Sequence, residues 1–311
     1  MRPKINNADI QLGVAYGPDG KRVALAIGNE NGSCPFYLRG DCHHCDIGEG
    51  EGLFTPDMNL ERLEWLKDYF KDDLQDAEHL LVYNSGSVLD QREMSRRTLG
   101  TILGYISSLD KCKVVSLDSR EMYVTKDSLD YVVKSLREDQ QARIILGIES
   151  QNDEIRIGKL NKRMTKGGIE RLFSNVGEYN GEVGIDVNIV FQPPELTGEE
   201  AIQEVVETMK YGLELSEQYG VPVDFNFHPY YQSERSGKMF PDHPRANLRD
   251  AKEALGRMKM ILEEKASNSK IFIGWQDEEH DQEQDVKVRE LERELERFNQ
   301  FNVSQNVRFL E

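Results

Sequence analysis

Three cysteines fall within twelve residues of the segment SCPFYLRGDCHHCDIG, as Cys34, Cys42 and Cys45 at a C-x7-C-x2-C spacing. One irregular loop thus gathers three soft thiolate donors, and such a set binds metal. Thiolates hold both zinc and iron–sulfur clusters, so donor type leaves the two open. A closed structural zinc site needs a fourth ligand, which His43 or His44 could supply. Two features favour iron. A zinc ribbon normally draws its ligands as two separated pairs, and no second Cys or His pair stands at a suitable distance. The loop also follows the first candidate strand of a βα series, and active sites of such barrels lie at the strands' carboxyl ends. A cluster held by only three cysteines keeps one iron open. Cys112 stands alone after a lysine and reads as a partly buried free thiol.

The elements that must position this loop are legible as apolar runs rich in β-branched residues alternating with helical patterns, the signal for repeated βα units and a parallel sheet. Candidate strands are RVALAIG from Arg22, HLLVYN from His79, KVVSL from Lys113, RIILGIE from Arg143, IDVNIVF from Ile185, VDFNF from Val223 and KIFIG from Lys270. Between them, Leu60, Leu63, Leu66 and Phe70, and likewise Ile202, Val205, Met209 and Leu213, recur at helical spacing. Thr197 with Glu200 resembles a capping box opening the second helix. The polar stretch 276–284 reads as a linker, followed by a charged helix with Val288, Leu291, Leu295 and Phe298 as its apolar seam.

At 311 residues, one α/β barrel of about 250 residues with extensions fits the length. No run approaches the ~20 apolar residues of a membrane span, and the start lacks a signal-peptide core, so a soluble, cytoplasmic protein without membrane contact is expected. The formal charge of −17 argues against a chain that grips a polyanion unaided, because phosphate neutralisation requires clustered Lys and Arg and an acidic chain repels a polyanion unless its basic residues are segregated.

With its cysteine loop, the chain resembles the radical S-adenosylmethionine (SAM) superfamily, and more narrowly the elongator-like and archaeosine-biosynthesis branch, which uses a widened cysteine spacing. Four further segments recur in that family's order. YNSGSVLD places Ser85, Gly86 and Ser87 where the family's Gly-Gly-Glu-like segment meets the methionine amino group, although the acidic residue is absent here. SLDSREMYV is similar to the branch's Glu-Ser-Arg-Pro segment, with Asp118, Ser119 and Arg120 at those positions; an Arg120 fork matches a carboxylate. GIESQNDEIR, followed by LNKRMT, puts Glu149 at the end of an apolar strand, where a charge needs a partner. The resemblance assigns Glu149 to ribose hydroxyls, with Gln151 nearby. In VNIVFQPPELTGEEAI, Asn188 and Gln192 become adenosine contacts, and His44 takes the position beside the adenine.

The resemblance implies an α/β partial (β/α)6 TIM-like barrel of the radical SAM type over residues 1–275, with a linker and terminal helix over 276–311 as carboxyl-terminal helical extension. It implies a [4Fe–4S] cluster on Cys34, Cys42 and Cys45, SAM as cofactor, and an electron donor such as flavodoxin or ferredoxin. Substrate identity is expected in the carboxyl-terminal strands, where FNFHPYYQSERSGKMF offers Asn226, His228, Tyr230, Tyr231 and Arg235. Trp275 after the last strand would close the site or cap the core. A small-molecule substrate, natural-product or nucleotide-like, is the preferred reading. Modification of tRNA with a partner subunit and a zinc-stabilised binding protein without catalysis are the alternatives.

Overall fold

The computed structural model describes residues 12–45, 52–230 and 234–274. Tyr231, Trp275, the expected linker and the expected terminal helix lie outside them. Eight strands form the sheet: β1 (Leu12–Gly17), β2 (Gly20–Ala26), β3 (His79–Tyr83), β4 (Val114–Asp118), β5 (Gln141–Glu149), β6 (Val183–Phe191), β7 (Val223–Pro229) and β8 (Ile271–Ile273), adjacent in chain order. Pairs β2/β3, β3/β4, β6/β7 and β7/β8 are parallel. Chain order with parallel neighbours is what repeated βα units produce. The alternating helices are α2 (Pro56–Tyr69), α3 (Lys71–Gln75), α4 (Arg96–Ser107), α5 (Lys126–Ser135), α6 (Lys166–Gly177), α7 (Gly198–Tyr219), α8 (Glu234–Met239) and α9 (Leu248–Glu264), with a short α1 (Pro35–Leu38) inside the cysteine loop.

All seven expected strands are present. The sequence reading missed β1, whose LGVAYG run leads through Pro18, Asp19 and Gly20 into β2; that proline-aspartate-glycine turn was the available signal. The capping box expected at Thr197 is not formed, since Thr197 occupies the N-cap position of α7 without a side-chain cap hydrogen bond. A complete box stands instead at Thr125 and Ser128, opening α5.

The chain divides into two compact units. The first holds β2, β3, β4 and helices α1 to α5, ending at Ile144 within β5. Its strands bury Leu80, Leu81, Val82, Val115 and Leu117, and its helices bury Leu66, Leu99, Ile102, Leu103 and Ile106. The second holds the rest of β5, strands β6 to β8, helices α6 to α9 and the loop residues 40–46. Phe191 and Phe227 stack there with ring centres 5.4 Å apart, among buried Ile189, Phe225 and Val205. In both, strands buried on two faces read as continuous apolar runs, which is why the sequence showed them. Cys112 is fully buried rather than partly so, and burial pushes its thiol up to about 11, leaving it inert.

Candidate functional site

The cysteine loop leaves β2, and its three cysteines are half-buried thiols outside any disulfide. Cys34 is the N-cap residue of α1, where Pro35 fixes the first helical position. The Cys34 carbonyl accepts the Leu38 N–H at 3.1 Å. In the first unit, α1 turns Phe36 inward, and the Arg120 guanidinium lies over its ring, 3.6 Å from the centre. The backbone N–H of Arg120 donates to Ser87 Oγ at 3.2 Å, and its Nε sits 3.6 Å from the Glu121 carboxylate. The Asp118 carbonyl receives the Val88 N–H at 2.9 Å. Of the sequence-derived residues, this unit therefore brings together the Ser85–Ser87 turn, the end of β4 and the helix beginning at Cys34.

The turn itself rests on a residue the sequence reading missed. Asn84 Oδ1 accepts the Gly86 N–H at 2.9 Å, and the fully buried Glu93 carboxylate accepts the Ser87 N–H at 3.3 Å and the Asn29 side chain at 2.8 Å. A Cβ on Gly86 would collide with that carboxylate, so the turn closes over Glu93 only because position 86 is glycine.

In the second unit, loop residues 40–45 are clasped by the segment after β5. Cys42 N–H donates to the Asn161 carbonyl at 3.1 Å and His43 N–H to the Leu160 carbonyl at 2.8 Å. His43 Nδ1 lies 3.0 Å from the Lys159 carbonyl, and its Nε2 lies 3.2 Å from the Asn161 amide nitrogen. One tautomer, protonated at Nδ1, satisfies both contacts. Buried Asp41 pairs with Arg163 at 2.6 Å. Cys42, Asn161 and Arg163 all take left-handed backbone angles, φ 53, 48 and 52 degrees, a conformation the clasp must stabilise.

Glu149 ends β5 with φ 64 degrees and is buried. The required partner is Lys162, whose ammonium lies 2.5 Å away, and His44 Nε2 stands 3.8 Å from the same oxygen. Burial alone would raise the Glu149 pKa; Lys162 and His44 overcome that and hold it down at about 2. LNKRMT held the signal for Lys162, but nothing local identified which of its cations would turn inward.

The remaining candidates separate. Gln151 donates its backbone N–H to Thr208 and accepts from Lys166. Asn226 donates to Asn188 Oδ1 at 2.8 Å across β6 and β7. The Gln192 side chain is committed elsewhere: its amide donates to the Pro244 and Arg245 carbonyls at 3.0 and 2.9 Å and its oxygen accepts from Asn247 N–H at 3.0 Å, so it clamps the loop before α9. Half-buried His228 lies 3.4 Å from the Gly274 carbonyl, Tyr230 is buried edge-on to His243, and Arg235 approaches Gly40 of the cysteine loop.

No family profile matches the chain. Over 200 residues it is 28% identical to the uncharacterized protein MJ0550 of Methanocaldococcus jannaschii, covering 63% of this chain and 53% of that protein. Over 128 residues it is 22% identical to the archaeosine synthase subunit beta of Methanosarcina acetivorans, covering 41% of this chain and 36% of that protein. The chain thus spans about half or less of these curated relatives. Among solved structures, a queuine lyase from Clostridium spiroforme, bound to SAM and queuine, superposes with a TM-score of 0.51 at 18% identity, covering 78% of this chain and 92% of that one. Strand order, the α/β alternation and this superposition agree on one identification: the chain has a TIM-like fold of βα units, shared with that SAM-bound structure.

Proposed function

We propose that the protein is a radical SAM enzyme that acts on a small, nucleotide-like molecule. The observation that carries this reading is the state of the cysteine loop after β2 of this βα fold. Cys34, Cys42 and Cys45 form no disulfide, while both ring nitrogens of His43 are engaged by Lys159 and Asn161 and His44 faces Glu149. The histidines that would close a zinc site are thus turned to other partners, which supports a three-thiolate [4Fe–4S] cluster with one open iron. Among the described residues, no three His, Cys, Asp or Glu side chains already converge as a metal site, so the fit rests on donor chemistry.

When bound, the cluster and SAM supply reductive cleavage of the sulfonium to methionine and a 5′-deoxyadenosyl radical, which takes hydrogen from the substrate. The chain's own work is to bind and orient. In this reading Arg120, packed over Phe36, would receive the SAM carboxylate and the Ser85–Ser87 turn the amino end, while Glu149, kept ionised by Lys162, would accept ribose hydroxyls and His44, Gln151 and Asn188 would serve the adenosine. Gln192 offers this site its loop rather than its amide. Asn226, His228, Tyr230 and Arg235 are the candidates for the substrate side, with Tyr231 outside the described residues. The similarity to a queuine lyase and an archaeosine synthase subunit supports a nucleotide-like substrate, and it keeps tRNA modification with a partner subunit as the second reading.

Anaerobic reconstitution tests the proposal. About four irons with matching sulfide, and 5′-deoxyadenosine formed from SAM and dithionite, are expected. Cys34→Ala, Cys42→Ala and Cys45→Ala each abolish that product. One bound zinc with no iron would reject the enzymatic reading.

A further inference from the structure

Two carboxamides meet on neighbouring strands of the second unit. Asn188 of β6 and Asn226 of β7 are register partners, and Asn226 Nδ2 donates to Asn188 Oδ1 at 2.8 Å. Both lie on the sheet face turned away from α7, because Val187 and Phe225, their strand neighbours, are the side chains that meet Gly212 of that helix. Asn226 is only 2% exposed. A carboxamide carries two N–H donors and one carbonyl acceptor, so the mutual bond leaves three N–H groups and the Asn226 oxygen to be satisfied. Among the described residues, no further hydrogen bond reaches either side-chain amide. Reversing both amides leaves the same inventory. Buried polar groups with this much unmet capacity are costly until a ligand completes them.

The surroundings say what kind of ligand. Phe272 of β8 stands in register with Asn226, and toward the carboxyl ends of the strands the same face carries Val190 and His228. His228 lies against Gly274, where a Cβ would strike its ring. Toward the amino ends, Asp224 accepts the Lys270 N–H at 2.7 Å. The amides thus lie beside an aromatic side chain and just below the strand ends at which βα folds bind ligands. An ion finds no opposite charge on Asn188, Asn226 or Phe272, and a hydrocarbon would leave the amides unpaired. A planar ring whose edge sets a donor beside an acceptor suits the site on both counts. Its edge bonds a carboxamide twice, as Asn and Gln bond base edges, and its face meets an aromatic wall.

We propose that the Asn188–Asn226 pair recognises the lactam edge, an N–H beside a C=O, of a nucleobase-type substrate, with Phe272 as the wall for its ring. This rests on the proposed function and names the edge by which the nucleotide-like substrate is selected. It also moves Asn188 from the adenosine, to which the resemblance assigns it, to the substrate, since its carbonyl oxygen is already bonded to Asn226.

Binding of free bases to the anaerobically reconstituted protein with SAM present, measured by calorimetry, tests this without turnover. The probes are 7-deazaguanine, hypoxanthine and uracil, each beside its counterpart methylated at the lactam nitrogen. At least one lactam is expected to bind, with its methylated counterpart about tenfold to a hundredfold weaker, the discrimination of one doubly bonded base contact. Asn226→Leu, close in shape and without hydrogen-bonding groups, is expected to erase that difference and to leave SAM affinity as in wild type. Binding of no lactam, or equal binding of lactam and methylated forms, overturns the inference and leaves the enzyme reading intact. A loss of SAM affinity in Asn226→Leu as large as the loss of lactam affinity also overturns it, since the pair then serves the adenosine or the fold. Circular dichroism verifies that the variant folds; if it does not, the wild-type comparison of lactam with methylated base still decides. Failure of the wild type to bind SAM rejects the proposed function and this inference with it.

Discussion

Glu149 ionises where burial alone would keep it neutral, because Lys162 is locked beside it. Breaking one side of such a pair is far costlier than the pair's net contribution. Lys162→Met should therefore destabilise the fold by about 3–5 kcal/mol in urea at neutral pH. Since the Glu149 pKa is depressed to about 2, its stabilisation is complete above about 4.5 and lost as pH falls toward 2, and the deficit of the variant should shrink over that window. Glu93 shows the opposite sign. Its pKa is raised to about 7, so in the ligand-free protein stability falls as pH rises from about 4.5 to about 7. At about 1.4 kcal/mol per pH unit, Glu93→Gln should gain up to about 3 kcal/mol at pH 7.5 and almost nothing at pH 4.5. Thermal unfolding at both pH values measures it, and an equal gain at both would assign the effect to packing.

The segment after β5 acts as a clasp on the cysteine loop. Lys159, Leu160 and Asn161 offer carbonyls to His43 and Cys42, and the Asn161 amide meets His43. Asn161→Ala loses the side-chain contacts only, at about 1 kcal/mol of global stability. Its effect on the bound cluster should be larger, since supports of metal ligands are typically worth about 10–100-fold in metal affinity. Iron release to a chelator, followed by absorbance at matched protein concentration, should be correspondingly faster than in wild type. In the same unit, Gln192 holds the loop before α9 through three hydrogen bonds.

At the scale of the molecule, a net charge of −17 opposes any polyanion. If tRNA is a substrate, a partner must hold it. The isolated chain is expected to retain no tRNA on a filter at 200 mM salt, and binding that persisted there with a steep salt slope would demonstrate a segregated basic surface of its own. No helix among the described residues is long and apolar enough to cross a membrane.

The strands β2 to β8, the alternation with helices and the three-thiolate loop were legible in the sequence, because hydrophobic runs and motif spacing are local properties. β1 was not, since six residues with a glycine near each end carry little periodic signal. The charge on Glu149 predicted that a partner existed; only the fold chose Lys162. Gln192 was placed by motif near adenosine, but three backbone groups of a loop some fifty residues onward occupy its amide. Glu93 had no motif at all. Its meaning depends on Asn29, 64 residues earlier, and on a glycine turn folded over its carboxylate. Sequence thus determined which elements form and where thiolates gather, whereas pairing of buried charges, a matter of distant segments brought into contact, was decided by the tertiary structure.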